Sequence, residues 1–528
     1  MPGSTVAASP LTPFRHRVFL WLWIGVVVSS IGAWGQTVGA QWLFVNDPHA
    51  ATIVPLVQTA GTLPMVLLAL PAGVLADAFD RRWLLLVVQL YGVAVAALLA
   101  ILTALDMMPP GLLLAFTFAV GAGLAMTSPT WQALITELVP RSEFSAATRL
   151  DMVSVNVSRA AGPALAGFII AAWGVAPVFA FNAALTLVFA VILVAWRRPT
   201  QATADRERFL PAMRAGGRYV RHEPVVRTLL LRFAAFVFPA TAVWALLPLI
   251  ARQQLGLAAD GYGILFAALG TGAVTAALTL GPVKEKLSSN AILALAGTLF
   301  GAAFAGVALI ESMWLAVPLL VVCGYAWTAT VATVISELQL FLPGWVRARA
   351  IAIYLMVFLG TQSVASPVWG LVTQHGSLRA AVLLAAALIA VSVGLTIVLR
   401  VPDSQHLDRS PLAYWDTPRL VGDPPPEAGP IMVSIQYTVD PDRQAAFVEA
   451  MQSMRRSRLR SGASRWHLYR IGEDPLLFLE QFEVPTWTEH QRQHEVRLTA
   501  EDKEIEDAAF AHIVGRPRAQ HLLPVDPA

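Results

Sequence analysis

The strongest constraint on this chain is a succession of apolar runs, each long enough to cross a bilayer. A spanning helix needs about 20 largely apolar residues. Twelve such runs lie near 18–43, 52–76, 83–105, 111–138, 150–172, 177–196, 225–250, 261–283, 290–310, 314–338, 350–373 and 378–399. Proline interrupts several of them, at Pro55, Pro64, Pro163, Pro239, Pro248 and Pro367. Membrane helices tolerate this where neighbours satisfy the freed backbone groups. Charged residues make up 13% of the chain, about half the share of a soluble domain, and they are unevenly spread. Residues 1–400 hold 23 Lys and Arg and 14 Asp and Glu, whereas 401–528 hold 14 and 20. A sparse, basic membrane part is thus followed by a dense, acidic soluble part. The net charge of +3 sums two unlike segments and does not argue for nucleic acid as a partner. The single cysteine, Cys323, rules out an internal disulfide and a cysteine-built metal site. The first apolar run is too long for a signal peptide and is kept as mature structure.

Orientation follows from the basic residues, which concentrate on the cytoplasmic side of membrane proteins. With the N-terminus placed in the cytoplasm, 19 of the 23 bases in residues 1–400 fall on that side; Arg252 and Arg379 fall outside, and Arg159 and Arg232 lie within spans. Both termini are therefore expected to be cytoplasmic. Six spans, a long basic connection and six more spans suggest two related halves. "SPTWQALITELVPRSEFSAATR" (128–149) has its counterpart in "TATVATVISELQLFLPGWVRAR" (328–349). Glu137 precedes Arg149 by twelve residues, and Glu337 precedes Arg349 by the same twelve. "GPVKEK" (281–286) faintly echoes "GVLADAFDRR" (73–82). Two parallel six-helix repeats related by an axis along the membrane normal describe many secondary transporters.

"GVLADAFDRR" resembles the loop motif between helices two and three of the major facilitator superfamily, and "RAAGPALAG" (159–167) resembles the fifth-helix glycine–proline motif of its antiporters. In the tail, "YTVDPDRQAAFVEAM", "RSGASRWHLYR" and "WTEHQRQHE" closely resemble the transmembrane secretion effector branch, which includes enterobactin-exporter-like members. The resemblance implies an all-α, twelve-helix membrane fold with a small C-terminal α+β domain. Two positions depart from the loop motif: Ala78 stands where a base often follows the first acid, and Asp80 replaces the second glycine. The expected organisation is a six-helix half over 1–196, a cytoplasmic linker over 197–224, a second half over 225–400, a proline-rich linker over 401–430 and a cytosolic domain over 431–528.

No Walker loop or nucleophile–base pattern appears and no cofactor is assigned, so energy is expected from an ion gradient, with protons as the expected ion, or from the substrate's own gradient. Intramembrane ionisable groups are functional candidates; here they are Asp151, Asn156 and Arg159 on the fifth span and Arg232 on the seventh. Arg159 fits either a buried charge tuning a cavity or a clamp on a neighbouring carbonyl. Arg232 fits a side chain reaching toward the cytoplasmic interface. Gly73, Asp77, Asp80, Arg81 and Arg82 are read as a conformational latch, with Asp77 binding a helix N-terminus in one state only. The pairs Glu137–Arg149 and Glu337–Arg349 are read as an inner gate, with loop solvation as the plainer alternative. Gly162, Pro163 and Gly167 suit a bendable close contact. Trp34, Gln36, Gln41, Trp131 and Gln132 are the candidate lining of a cavity for a bulky amphipathic molecule. The overall expectation is a proton-coupled exporter of a drug-like or siderophore-like compound. An importer of the same fold, and a membrane-anchored enzyme, are the alternatives.

The tail alternates as β-α-β-β-α-β: strands at 431–439, 465–471 and 476–484 and near 518–523, helices at 441–460 and 486–510. That order is a split ferredoxin-like unit, and it resembles the dimeric barrels of small antibiotic-biosynthesis monooxygenases. It is expected to bind, self-associate or regulate rather than catalyse. His490 and His494 stand four apart on the second helix, a metal-ligand spacing, but no third ligand is evident in the sequence and no metal is assigned.

Overall fold

The computed structural model describes residues 11–196, 209–401, 411–415, 420, 422 and 424–524, without the side chains at 70, 74, 76–78 and 209–213. Among the described residues, twelve spans have the length and composition to cross a membrane. The first six helices are α1 (Arg17–Leu43), α2 (Ala50–Ala78), α3 (Arg81–Ala104), α4 (Pro110–Leu138), α5 (Phe144–Trp173) and α6 (Ala176–Ala195). A short amphipathic helix, α7 (Phe209–His222), lies inside the segment expected to be a linker. The seventh span is broken into α8 (Pro224–Ala240), α9 (Ala242–Leu249) and a π-helical turn at Ile250–Gln254. The rest are α10 (Ala259–Lys286), α11 (Ser289–Leu309), α12 (Met313–Phe341), α13 (Gly344–His375) and α14 (Leu378–Val398).

The break follows from the prolines. Pro239 and Pro248 lie inside the span, and each removes an amide donor and leaves a carbonyl four residues back unpaired. Beside Pro239, the Phe238 carbonyl accepts from the Trp369 indole at 2.9 Å. Short polar caps begin other helices: Asp80 accepts from the amides of Arg82 and Trp83, Ser288 from Ala291 and Ser377 from Ala380. Each satisfies donors that a helix start leaves orphaned.

The fifth and eleventh spans begin earlier than their apolar runs. α5 starts at Phe144 and α13 at Gly344, again 200 residues apart. Both extensions carry the polar residues that end an apolar run, so hydropathy alone does not register them. The internal repeat thus reaches the helix boundaries.

Chain contacts divide the molecule into two units. One holds α1–α6 with residues 232–333 and 356–400; the other holds residues 209–231, 334–355 and 411–524. In the first unit, Phe19, Leu22, Leu85, Trp131, Leu134 and Phe189 pack one core near the end that carries Arg81, Arg82 and Arg149, here called the basic end. Val57, Leu99, Met108, Leu113 and Phe179 pack another toward the opposite, far end.

In the second unit the tail forms a four-stranded antiparallel sheet ordered β2-β3-β1-β4, from β1 (Ile431–Thr438), β2 (Arg465–Arg470), β3 (Leu477–Val484) and β4 (Arg518–Leu522). Between β1 and β2 lies α15 (Gln444–Ser461); between β3 and β4 lie α16 (Trp487–Arg492), a π-helical turn at Gln493–Arg497, and α17 (Ala500–Phe510). This is the expected ferredoxin-like order. The second helix, read as continuous over 486–510, is broken at Leu498, where Thr499 opens α17 with a reciprocal capping box to Asp502. One face of β3 is buried at Phe478, Phe482 and Val484 against Phe447, Met451 and Met454 of α15.

Candidate functional site

At the basic end the charges of the loop motif have local partners. Arg82 on α3 donates to the carbonyls of Leu193 and Val194, both at 2.9 Å, at the end of α6. Those are carbonyls the last helical turn cannot pair internally. Arg81 donates to the Ala133 carbonyl at 3.1 Å and forms an ion pair with Glu137. In the second half Lys284 reaches the Ala332 carbonyl at 3.4 Å, five residues before Glu337, just as Ala133 lies four before Glu137. Glu137 therefore pairs with Arg81 and not with Arg149 as expected; Arg149 donates to Ser145 on its own helix at 3.0 Å. The reason is direction: Arg149 lies in α5 beyond the Val139–Glu143 connection, whereas Arg81 opens the helix packed beside α4. Arg349 donates to the Trp345 carbonyl at 3.2 Å, and Glu337 is buried. Gly73 lies within α2, and the side chain of Asp77 falls outside the described residues. Arg232 donates to Asn290 at the start of α11 at 2.8 Å and to the Leu399 carbonyl at 3.0 Å, so it reaches the helix ends on that side and closes the end of α14.

The glycine–proline motif on α5 splits into two contacts. A β-carbon at Gly162 would stand 2.6 Å from the Ile31 carbonyl oxygen and 2.7 Å from Trp34 Cβ, so this glycine admits α1 of its own half. At Gly167 it would stand 2.7 Å from the Ala259 oxygen and 2.9 Å from Gly263 Cα, so this one admits α10 of the other half. Small residues allow such backbone approach. Pro163 follows Gly162, and its carbonyl lies against Gly263. Other links between the halves fall toward the same far end. Thr59 donates to the Ser363 carbonyl at 3.0 Å, Thr62 meets the Ser363 hydroxyl at 2.8 Å, and Thr52 bonds Gln374. Tyr262 donates to Gln41 at 2.6 Å, and Arg252 to Asn46 at 2.8 Å.

Between these ends lies an aromatic assembly with one cation. The Arg159 guanidinium lies 5.2 Å from the centroid of Trp34. Trp34 meets Phe266 edge-on at 6.2 Å, Phe266 lies 5.4 Å from Trp244, and Trp244 lies 5.8 Å from Trp327. Phe358 lies 5.9 Å beyond Trp327. α1, α5, α9, α10, α12 and α13 all contribute, so both halves build it. Arg159 Nε and the Trp244 indole N–H are buried and make no hydrogen bond among the described residues. Unpaired buried donors are rare and call for an explanation. Beside edge-on and tilted aromatic rings they are suited to an anionic, aromatic ligand.

Several expected lining residues are placed elsewhere. Gln36 is buried and hydrogen-bonded to Asn182 inside the first half, and Gln41 is buried against Tyr262. Trp131 sits in the basic-end core and donates to Asp151 at 2.8 Å. Gln132, next along α4, is exposed. Asn156 donates to the Met152 carbonyl of its own helix at 2.8 Å. In each buried case a polar group within a helix bundle finds an internal partner, because leaving it unpaired is costly. Of the proposed lining, Trp34 alone joins the aromatic assembly. Trp244, Phe266 and Trp327 were missed, because an aromatic in an apolar run looks the same whether it packs or lines.

The tail carries a second polar constellation. Glu480, buried on the helix-facing side of β3, accepts from Tyr437 at 2.6 Å, Trp466 at 2.8 Å and Arg458 at 3.2 Å. Arg458 also reaches Glu506 at 3.0 Å and lies 4.6 Å from the Trp415 ring centroid. Burial, and then Glu480, push the Tyr437 phenol well up. Arg460 binds Glu223, Glu501 and Asp502 at 2.7, 2.7 and 2.8 Å. Burial pushes the Asp502 carboxyl up, but Arg460, Ser457 and Thr499 override it and hold it below the usual carboxylate range. Arg218 of α7 and Arg497 share Glu489 at 2.7 and 3.2 Å.

The comparisons agree with this architecture. The staphyloferrin A transporter of Staphylococcus aureus (strain NCTC 8325 / PS 47) is 23% identical over 283 residues, 52% of this chain and 70% of that protein. The enterobactin exporter EntS of Salmonella typhi is 27% identical over 311 residues, 58% of this chain and 72% of that protein. A bacterial homolog of the human lysosomal transporter Spinster, in an inward-facing and occupied conformation, superposes with a TM-score of 0.59 at 15% identity, covering 74% of this chain and 97% of that one. The POT family transporter PepTSo gives 0.61 at 11% identity, covering 73% and 97%. Likeness at that identity speaks for the fold alone. The transmembrane secretion effector model matches residues 8–526, tail included, which disfavours the membrane-anchored enzyme. The chain is a multi-pass transporter of the major facilitator type and belongs to the transmembrane secretion effector family.

Proposed function

We propose that the protein exports an anionic, aromatic small molecule of the siderophore type from the cytoplasm by alternating access, in exchange for protons. The observation that carries this reading is the Arg159 guanidinium over Trp34, beside Phe266 and the unpaired Trp244 indole. A planar cation among edge-on and tilted aromatic rings recognises a catecholate or carboxylate with aromatic substituents and gains little from a sugar or a cation. The names of the two relatives, an enterobactin exporter and a staphyloferrin A transporter, support a siderophore-type substrate, and the first of them supports export. In this reading the basic end faces the cytoplasm with both termini. Glu137 with Arg81 belongs to the gate there, and Glu337 and Arg349 are the repeat counterparts of the gating residues in the second half. Asp151 is the acid through which the proton passes, and the tail mediates self-association.

The test is transport into inverted vesicles or proteoliposomes holding the purified chain, with an imposed inside-acid gradient. A catecholate chelator should accumulate, and a protonophore should abolish the accumulation. If no member of a panel of catecholate and carboxylate chelators moves with the gradient, the reading fails.

A further inference from the structure

The tail brings together three histidines that the sequence separates. α16 runs into the π-helical turn at Gln493–Arg497, and across that junction His490 and His494 turn toward each other with their Nε2 atoms 3.3 Å apart. His521 comes from β4, the edge strand beside β1, and its ring centroid lies 4.9 Å from that of His490. One ring nitrogen from each of the three lies within 4.8 Å of the others. We propose that His490, His494 and His521 bind one divalent transition cation, of the zinc or cobalt class, with one coordination position left open.

The geometry carries this reading in three ways. Zinc–imidazole bonds are about 2.0–2.1 Å long, so two nitrogens on a tetrahedral ion stand about 3.3–3.4 Å apart; the two Nε2 atoms have that separation. His490 Nδ1 lies 3.1 Å from the Gln493 side-chain oxygen. With Nδ1–H donating there, the proton is fixed on Nδ1 and the Nε2 lone pair is left facing the cluster, the usual arrangement of a ligating histidine. The rings are held by aromatic neighbours: Trp415 edge-on to His494 at 4.8 Å, and Trp487 at 5.5 Å from His490 and 6.3 Å from His521. The chemistry selects the ion class. Three neutral imidazoles, with no carboxylate in the cluster among the described residues, favour borderline cations over magnesium or calcium. Three protein ligands leave a fourth position for water or an incoming oxygen donor. A π-helical turn at this place fits, since such turns gather at functional sites.

The test uses the full-length protein in detergent, purified through a tag without histidine and stripped with a chelator. Titration with Co²⁺ should produce the visible absorption of a tetrahedral nitrogen site, saturating at one ion per chain, and Zn²⁺ should displace it. His494→Gln and His521→Gln should each abolish the band, whereas His467→Asn, at an exposed histidine on β2, should leave it unchanged. Gln493→Ala should weaken binding by about 10–100-fold, the usual effect of losing a partner that orients a ligand. Circular dichroism of each variant separates loss of the site from loss of the fold. Absence of the band in the unmodified chain, or its persistence in the double His494→Gln, His521→Gln variant, overturns the proposal.

Discussion

Replacing Gly167 by alanine should tilt the transporter away from the conformation described here. The added methyl would stand 2.7 Å from the Ala259 oxygen and 2.9 Å from Gly263 Cα, both backbone atoms of α10. Backbone cannot rotate out of the way, so reaching an ordinary 3.4 Å contact requires α5 and α10 to part by about 0.7 Å. Forcing extra volume into a close-packed contact costs about 1–3 kcal/mol. The cost falls only on states in which these helices touch. With tenfold per 1.4 kcal/mol, the equilibrium should move about 5–150-fold toward states parted at the far end. Gly121→Ala is the control. Its methyl would meet the Gly61 carbonyl, inside the first half, and should lower thermal stability without moving that equilibrium. Spin labels at the far ends of α5 and α10, read as pulsed-dipolar distance distributions in nanodiscs, report the result; the native thiol, Cys323, is buried and does not compete for label. Unchanged distances in Gly167→Ala, at undiminished folding, would refute the argument that this contact closes the far end.

Three further outcomes follow from other contacts. Arg159→Met should weaken binding of an anionic aromatic substrate by about 10–150-fold, the loss of one charge-assisted hydrogen bond of about 1.5–3 kcal/mol, while Arg159→Lys should lose less; calorimetric titration with a catecholate checks both. Arg458→Met should destabilise the tail by about 3–5 kcal/mol by stranding Glu480, and adding Glu480→Gln should recover part of that, read as the onset of limited proteolysis on heating. Asp502 is held below its ordinary value by Arg460, Ser457 and Thr499 against burial. Its contribution is therefore complete above the unfolded value of about 3.9 and is lost as pH falls through the lower folded value. The thermal stability of the tail should fall on acidification below about pH 4, and fall less in Asp502→Asn.

Hydropathy made the twelve spans and the ferredoxin-like order legible, because long apolar runs and alternating strands are properties of local sequence. Helix starts at Phe144 and Gly344 were not, because they lie in polar stretches that continue a helix outside the apolar run. The glycine–proline motif was visible, but which helix each glycine admits depends on packing at 167 and 263 that no spacing reveals. The aromatic assembly around Arg159 was the least legible part. Gln36 and Gln41 look like ligands in a sequence, yet each has a partner more than a hundred residues away. His521 escaped for the same reason: a strand pairing places it beside a helix dyad some thirty residues earlier.

The same physics accounts for the density of arginine at the basic end. A helix that stops at a membrane boundary leaves its last carbonyls without amide partners, and its C-terminus carries partial negative charge. The last helix of each half is closed by an arginine from elsewhere in that half: α6 by Arg82 and α14 by Arg232. Arg81 and Lys284 reach carbonyls on α4 and α12 in turn. Guanidinium suits the task, since its planar donors can take two adjacent carbonyls at once, as Arg82 does. Asp80, the residue that departs from the loop motif, caps α3 and so orients the turn from which Arg81 and Arg82 project. The charges in "GVLADAFDRR" that the structure describes are therefore committed to helix ends, those of the neighbours α4 and α6 and the start of α3 itself. Of these bonds the Arg81–Glu137 pair joins two charged side chains on different helices, so a conformational role of that loop is expected to act through it.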